Sequence, residues 1–285
     1  MSTSAPRRAA VLGKPVEHSL SPVLHGAAYA ELGLANWTYE RVEMDAESLP
    51  GFVSGLGPEW AGLSVTMPGK RAALDLATEA TPRAAAVGAA NTLVRLPSGD
   101  WRADCTDVDG VAGALRTAGG FSGGTTGLVL GAGGTAAAVV AAFAELGLHR
   151  VRLVARDPAR AEESAVAAKR AGLAVDVLRW SDVDFAEVVA GTDVLVNTVP
   201  PDAVASQLAE LAVLDCVLDV IYHPWPTPLA EAVAARGGRV ATGLDMLLHQ
   251  AFGQVEQFTG QAAPRVAMRD ALREATGGIL PLPLD

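Results

Sequence analysis

TTGLVLGAGGTAAAVV, residues 125–140, decides the fold. An apolar run enters a glycine turn, and a run of small apolar residues leaves it. That order reads as strand, tight turn and helix. The turn fits G-x-G-x-x-A at Gly131, Gly133 and Ala136. Gly131 permits the tight turn, Gly133 lets a pyrophosphate approach the backbone, and Ala136 keeps the helix close to the sheet. Thr135 adds a hydroxyl near the helix start. Tight βα turns also use glycine for conformation alone, but the strand–turn–helix–strand context points to dinucleotide binding.

The next strand, RVRLVAR (150–156), ends at Arg156 and Asp157. An acid at this place accepts from a ribose 2′-hydroxyl, whereas a cation pairs with a 2′-phosphate. Both kinds of residue stand here. Arg156 can face a phosphate bidentately and stack on adenine. The plainer alternative is an exposed arginine paired with Asp157.

Further strands follow in AVDVLR, DVLVNTV, CVLDVIY and RVATG. The chain then returns to helices over 244–260 and 264–278. In the other direction the dinucleotide unit begins near residue 107, where DVDGVAGALRTAG reads as a helix. The first hundred residues alternate too. RAAVLG (8–13), WTYERVEM (37–44) and WAGLSVTM (60–67) read as strands. SPVLHGAAYAELGL (21–34) reads as a helix stopped near Gly33. ESLPGFVSGL reads as a short helix interrupted by Pro50, and 68–80 as a helix opened by Pro68. AANTLVRL and DWRADC flank PSGD as a hairpin. Such alternation implies mostly parallel sheet with helices on both faces.

Composition narrows the function classes. With 285 residues the chain can form one large or two ordinary domains. Lys and Arg total 22 against 32 Asp and Glu, a net charge of −10, and no long basic run exists, which argues against nucleic acid as a partner. Cys105 and Cys216 are too few and too isolated for a disulfide framework or a zinc site, so no metal is expected and a reducing cytoplasm is. The first residues lack a continuous apolar stretch, so no signal peptide is expected. No window of 18 uninterrupted apolar residues suggests a membrane span.

GKPVEHSLSPVLH, residues 13–25, follows the first strand. Ser21 can cap a helix through its side-chain oxygen, with Pro22 at the first helical position. That leaves Gly13, His18 and Ser19 unexplained. Two hydroxyls beside a helix N-terminus can instead hold a small anion.

The whole chain resembles the shikimate dehydrogenase family. GKPVEHSLSPVLH is similar to the family's G-x-P-x-x-H-S-x-S-P-x-x-H, and GLSVTMPGK to its G-x-N-V-T-x-P-x-K. GAANTL, the TD of RADCTDVDG, GAGGTA, DVIYHPWPTPL and GLDMLLHQA match later blocks in order. The resemblance implies a two-domain α/β fold. A substrate-binding domain takes 1–106 and 244–285, and a Rossmann-like NADP-binding domain takes 107–243, with a cleft between them. It also implies reduction of 3-dehydroshikimate to shikimate in aromatic amino-acid biosynthesis, with NADP as cofactor, by a cytoplasmic monomer or homodimer.

The site residues follow by motif. Lys70 and Asp107 are the implied catalytic pair. Ser19 and Ser21 take the substrate carboxylate, and Thr66, Asn91, Gln250 and Tyr222 stand near the substrate. Gly131, Ala132, Gly133, Gly134, Thr135, Ala155 and Arg156 hold the cofactor, and Ile221 and Gly243 border its nicotinamide. Taken singly, Asp107 can be a helix cap, Asn91 a strand start and Gln250 an exposed helix residue. Departures from the family pattern are Ser64 and Cys105 where asparagine is usual, Gly26 after the histidine, a loose NTVPPD, and Ala155 and Asp157 around Arg156. Burial and Asp107 pull the charge of Lys70 in opposite directions. Proton donor and electrostatic stabiliser both stay open for Lys70. Alternative readings are a quinate/shikimate or aminoshikimate dehydrogenase and a non-catalytic NADP-binding sensor. Ser21 and Arg156 weigh against a quinate enzyme, and Lys70 with Asp107 against a sensor.

Overall fold

The structure, a computed structural model, describes residues 5–284. Residues 1–4 and 285, the ends of the expected substrate domain, lie outside the described residues. The chain forms two compact units. One holds the residues up to Thr106 together with Gln250–Leu284, and the other holds Asp107–His249. The chain passes back to the first unit inside one helix, Gly243–Thr259.

In the first unit, six strands form one sheet: β1 (Arg7–Gly13), β2 (Trp37–Glu43), β3 (Trp60–Val65), β4 (Glu79–Ala80), β5 (Thr92–Arg95) and β6 (Trp101–Asp104). Their order is β2-β1-β3-β5-β6-β4. The expected mostly parallel sheet is mixed here. β1 runs parallel to β2 and β3, and β4 to β6, while β5 is antiparallel to β3 and β6. The PSGD turn forces the β5–β6 reversal, because a link of only five residues, 96–100, joins antiparallel neighbours. Leu12, Trp60, Leu63, Leu93 and Trp101 form the core of this unit.

The second unit contains β7 (Thr126–Leu130), β8 (Arg150–Ala155), β9 (Ala174–Arg179), β10 (Val194–Asn197), β11 (Cys216–Asp219) and β12 (Arg239–Thr242). The order is β12-β11-β10-β7-β8-β9, with every pair parallel. Read from the other edge this is the third-second-first-fourth-fifth-sixth order of a doubly wound dinucleotide fold. β7, β10 and β11 are buried along their whole length, as parallel strands covered on both faces are. Leu128, Leu130, Val154, Leu195 and Val217 meet Leu229 and Val233 of the helix Pro228–Ala235.

Three local expectations change. The helix expected over 68–80 runs only from Lys70 to Leu76. Thr78 gives its N–H and its hydroxyl to the Trp101 carbonyl, at 3.0 and 3.3 Å, and so residues 79–80 join the sheet as β4. Strand pairing outweighs the helical preference of LATEA. Pro50 does not interrupt its helix. It sits in the first turn of Leu49–Ser54, where its missing N–H costs no hydrogen bond. Ser21 is already inside its helix, Ser21–Glu31, and caps nothing; the N-cap is Leu20. No helix among the described residues is long and apolar enough to cross a membrane.

Candidate active site

In the first unit, two turns at the ends of neighbouring strands bring the expected residues forward. After β1 the chain turns through residues 14–20 into the helix Ser21–Glu31. Ser19 N–H bonds the Val16 carbonyl at 3.0 Å, and Arg41 donates Nε and Nη2 to the Ser19 carbonyl at 2.9 and 2.7 Å. The Ser19 hydroxyl oxygen accepts from Ser21 N–H at 3.3 Å. Ser19 thus satisfies the first helix amide, and the Ser21 hydroxyl is left for other work. Burial raises the Tyr39 pKa, and the Ser64 and Ser21 hydroxyls beside the phenol oppose that rise.

After β3 the chain turns through Thr66–Gly69 into the helix that Lys70 opens. Thr66 N–H bonds Leu12 O at 2.8 Å and Gly69 N–H bonds Thr66 O at 2.9 Å. This turn explains Gly13. A Cβ there would collide with the Thr66 methyl and lie 3.1 Å from the Met67 carbonyl. Only glycine lets the serine turn and the lysine turn lie against each other. Lys70 and Thr66 are half-buried. The Lys70 carbonyl accepts from Ala90 N–H at 2.9 Å, which ties the lysine helix to the residue before Asn91.

Asn91 is 2 % exposed. Its Oδ1 accepts from Thr106 N–H at 2.7 Å and from the Thr92 hydroxyl at 2.9 Å. The backbone donor settles which end of the amide is oxygen. Nδ2 therefore donates, and it meets Gln250 Oε1 at 2.7 Å. The end of β6, which leads to Thr106 and Asp107, is anchored by Asp104. That carboxylate accepts from Arg83 Nε and Nη2 at 2.7 and 2.6 Å, from Thr81 at 2.6 Å and from Gln257 at 2.8 Å. Burial pushes the Asp104 carboxyl up, but the Arg83 fork and Thr81 outweigh it and hold it at about 2.

Tyr39, Ser64 and Gln254 join these parts; sequence reasoning missed Tyr39 and Gln254 and marked Ser64 only as a departure from the family pattern. The Tyr39 hydroxyl donates to Ser64 Oγ at 2.7 Å, and Ser64 donates to Gln254 Oε1 at 2.9 Å. Gln254 Nε2 donates to Thr92 Oγ1 at 3.2 Å and to the Asn91 carbonyl at 3.4 Å. The one available signal was spacing. Gln250, Gln254 and Gln257 recur at i, i+4 and i+7 on a helix that otherwise buries apolar residues there.

The second unit holds the remaining expected residues. Asp107 is 2 % exposed and opens the helix Asp107–Thr117. Gly131 has φ +108° at the end of β7, against Thr198 and Val199. The ends of β7, β8 and β10 enclose a cavity of about 930 Å³. Gly131, Ala132, Gly133, Ala155 and Arg156 line it, and so do Arg160, Trp180 and Thr198, which sequence reasoning did not single out. Gly134 and Thr135 open the 12-residue helix Gly134–Glu145, outside this lining. Its N-cap, Gly133, offers no side-chain bond, and a Cβ at Gly133 or Gly134 would meet open space. Free helix N–H groups facing an open cradle suit an anionic pyrophosphate. Asp157 Oδ1 accepts from Ala159 N–H at 3.1 Å and so caps the short 3-10 turn that follows. Ile221, Tyr222 and Gly243 do not line the cavity. Ile221 N–H bonds Asp219 at 3.2 Å, and Gly243 packs against the Val220 carbonyl and the Tyr222 ring. Among the described residues no group of acids, histidines and cysteines is placed to hold a metal.

Relatives place this constellation. The chain is 42 % identical, over 96 % of its length and 97 % of the relative's, to a protein of Methylobacterium radiotolerans named shikimate dehydrogenase (NADP⁺). The chain belongs to the shikimate dehydrogenase family. The crystal structure of the Mycobacterium tuberculosis shikimate dehydrogenase is 54 % identical with a TM-score of 0.88, covering 94 % of this chain and all of that one. A shikimate dehydrogenase structure from Thermus thermophilus, in complex with NADP(H) and shikimate, is 32 % identical with a TM-score of 0.78, covering 94 % and 99 %. Family models described as the shikimate dehydrogenase substrate binding domain and C-terminal domain match residues 11–93 and 243–273. One described as NADP oxidoreductase, coenzyme F420-dependent, matches 126–220. The first unit thus contains the substrate-binding domain of a shikimate dehydrogenase, and the second is its Rossmann-like domain.

Proposed function

We propose that this chain catalyses the reversible NADP-dependent interconversion of 3-dehydroshikimate and shikimate, a step toward aromatic amino acids. The observation that carries it is the polar seam of the first unit. Hydroxyls of Ser19 and Ser21 stand at one end, and the amides of Asn91 and Gln250 at the other. Shikimate has the matching asymmetry, with a carboxylate on one side of its ring and hydroxyls on the other.

In the direction of reduction, NADPH supplies the hydride to the C3 carbonyl carbon. The carbonyl oxygen gains negative charge and takes up one proton. Lys70 Nζ holds that proton and delivers it to the oxygen, and in the reverse direction takes it back. The family resemblance makes Asp107 the partner of Lys70 in this transfer, and an aspartate beside a lysine favours its charged form. Ser19 and Ser21 donate to the substrate carboxylate. Asn91 Oδ1 is filled by Thr92 and Thr106, so Asn91 and Gln250 meet ring hydroxyls through their nitrogens. A ring lacking a hydroxyl would leave an N–H of these amides without its acceptor, which is how such a site rejects analogues. Thr66 and Tyr222 complete the substrate contacts, and Ile221 with Gly243 borders the nicotinamide.

The glycine turn, the uncapped helix start and Arg156 fit NADP. Arg156, Asp157 and Arg160 are all exposed on the cavity, two cations against one acid, and one oxygen of Asp157 is engaged in capping Ala159 N–H. The protein should therefore use NADP⁺ in preference to NAD⁺. Arg156→Ala should lower the NADP⁺:NAD⁺ ratio of kcat/KM by roughly ten- to a hundredfold, the worth of one charged hydrogen bond. A wild type that prefers NAD⁺ would refute the assignment. An unchanged ratio in the variant would transfer the preference to Arg160. Turnover of shikimate, quinate and aminoshikimate with each cofactor tests the substrate. We place the protein in the cytoplasm as a monomer or homodimer. Both cysteines are free and buried, in keeping with a reducing compartment.

A further inference from the structure

Gln254 lies on the last turns of the helix Gly243–Thr259 and is 3 % exposed. All its bonds go to residues of other segments. Its Nε2 faces two acceptors, the Asn91 carbonyl and Thr92 Oγ1. The Asn91 carbonyl has no proton to give, so the amide nitrogen belongs on that side and Oε1 on the other. Oε1 then faces the Ser64 hydroxyl at 2.9 Å and His25 Nε2 at 3.3 Å.

This orientation dictates the state of His25. An acceptor opposite Nε2 requires a proton on Nε2. His25 is wholly buried, and burial lowers its pKa to about 3, with the Gln254 bond opposing. The ring is neutral near pH 7, so Nδ1 carries no proton. That agrees with Nδ1 being buried without a hydrogen-bond partner. Stacking on Tyr39, with ring centroids 3.9 Å apart, and on Phe258 at 5.7 Å fixes the ring plane. His25 thus holds Gln254 Oε1 in place independently of Ser64.

Two arms leave Gln254. One runs through Ser64 and Tyr39 to Ser21, the hydroxyl assigned to the substrate carboxylate. The other runs through Thr92 and the Asn91 backbone to the Asn91 amide and Gln250, assigned to the ring hydroxyls. The first arm has a direction. Tyr39 gives its proton to Ser64 and Ser64 gives its proton to Gln254, with Ser21 beside the Tyr39 hydroxyl. A carboxylate has no proton, so binding it requires the Ser21 hydroxyl to donate to it. The Tyr39 and Ser64 bonds need not change when it does, and the arm stays anchored at the Gln254–His25 pair.

We propose that Gln254 is a positioning residue for substrate binding, the joint that holds the carboxylate-facing and the hydroxyl-facing halves of the site in register. The proposal rests on the shikimate reading above for the names of the ligand groups. Gln254 does not touch the reacting atoms. Its loss should weaken shikimate binding and leave the chemical step almost untouched.

The test uses the full chain with Gln254→Met, which keeps the side chain's length and removes its polar atoms, and Tyr39→Phe, which removes one hydroxyl from the first arm. Each should raise KM and calorimetric Kd for shikimate by roughly three- to tenfold. KM for NADP⁺ should not change, and kcat should stay within about twofold, as loss of uniform binding predicts. Combining the two should raise KM by less than the product of the single effects, because both lie on one arm. Nitrogen NMR of the wild type should show His25 protonated on Nε2. An unchanged shikimate Kd in a folded Gln254→Met protein would overturn the proposal. So would a fall in kcat with both substrates' KM unchanged, or an Nδ1-protonated His25. Should Gln254→Met not fold, an unchanged Kd in Tyr39→Phe would overturn it equally. A wild type that binds shikimate without turning it over would sink the assigned reaction, while the Kd comparison would still decide the role of Gln254.

Discussion

Replacing Lys70 with alanine lowers kcat by roughly 10²–10⁴-fold, the usual contribution of a positioned acid–base group. KM for shikimate moves far less. The reason is local. Lys70 is the first residue of its helix, and its backbone carbonyl is held by Ala90 N–H. Alanine keeps that bond and suits a helix, so the variant retains the turn and loses only the ammonium. Steady-state kinetics at saturating shikimate, with a melting curve as the folding control, reads the effect. Near wild-type kcat would remove Lys70 from the proton transfer. A change confined to KM would make it a binding residue.

The second large effect is expected from Ser19→Ala with Ser21→Ala. Hydrogen bonds to a charged group contribute about 1.5–3 kcal/mol each. Losing both should raise KM for shikimate by roughly 10²-fold or more, with the affinity for NADP⁺ unchanged. The structure removes the competing explanation for Ser21. It lies inside its helix and makes no side-chain cap bond. Ser19 does accept from Ser21 N–H, so the single Ser19 variant will also loosen the helix start. Calorimetric titration of Ser21→Ala alone beside the double variant separates the two contributions, because Ser21→Ala keeps the Ser19 bond to the helix start. Normal shikimate binding in the double variant would leave the serines as structural only.

What was legible in the sequence, and what was not, divides along physical lines. The glycine turn at 131–136 and the strand ending at Arg156 are local patterns, and the parallel sheet of the second unit follows from them. Asn91 and Gln250 came from motif order alone, and the structure joins them at 2.7 Å across 159 positions. Gly13 could not be explained from its own stretch, because its constraint comes from the Thr66 turn, on another strand. Gln254 was overlooked because an amide on an apolar helix face is equally consistent with an exposed side chain. Its meaning lies in Ser64, 190 positions away. Of the two roles open to Ser21, the cap falls away because the helix starts one residue earlier than its composition suggests, with Leu20 as N-cap; helix ends shift by a residue or two without any change in composition. β4 was read as helix because its partner, β6, lies more than twenty residues on.

The return of the chain to its first unit has a consequence during synthesis. Residues up to 106 and residues from 250 belong to one unit, separated by 143 residues of the other (249 − 106 = 143). At about 5–20 residues per second a ribosome needs roughly 7–30 s to make that insert. Throughout that interval Gly62 lacks the Phe258 ring that covers it, and Ser64 and Thr92 lack Gln254. The nascent first unit therefore waits with an open seam while the later-made unit can already close. Chains stalled at residue 249 should show it: protease should cut within residues 5–106 and spare 107–249. Equal protection of both would mean that the first unit closes without its final helices.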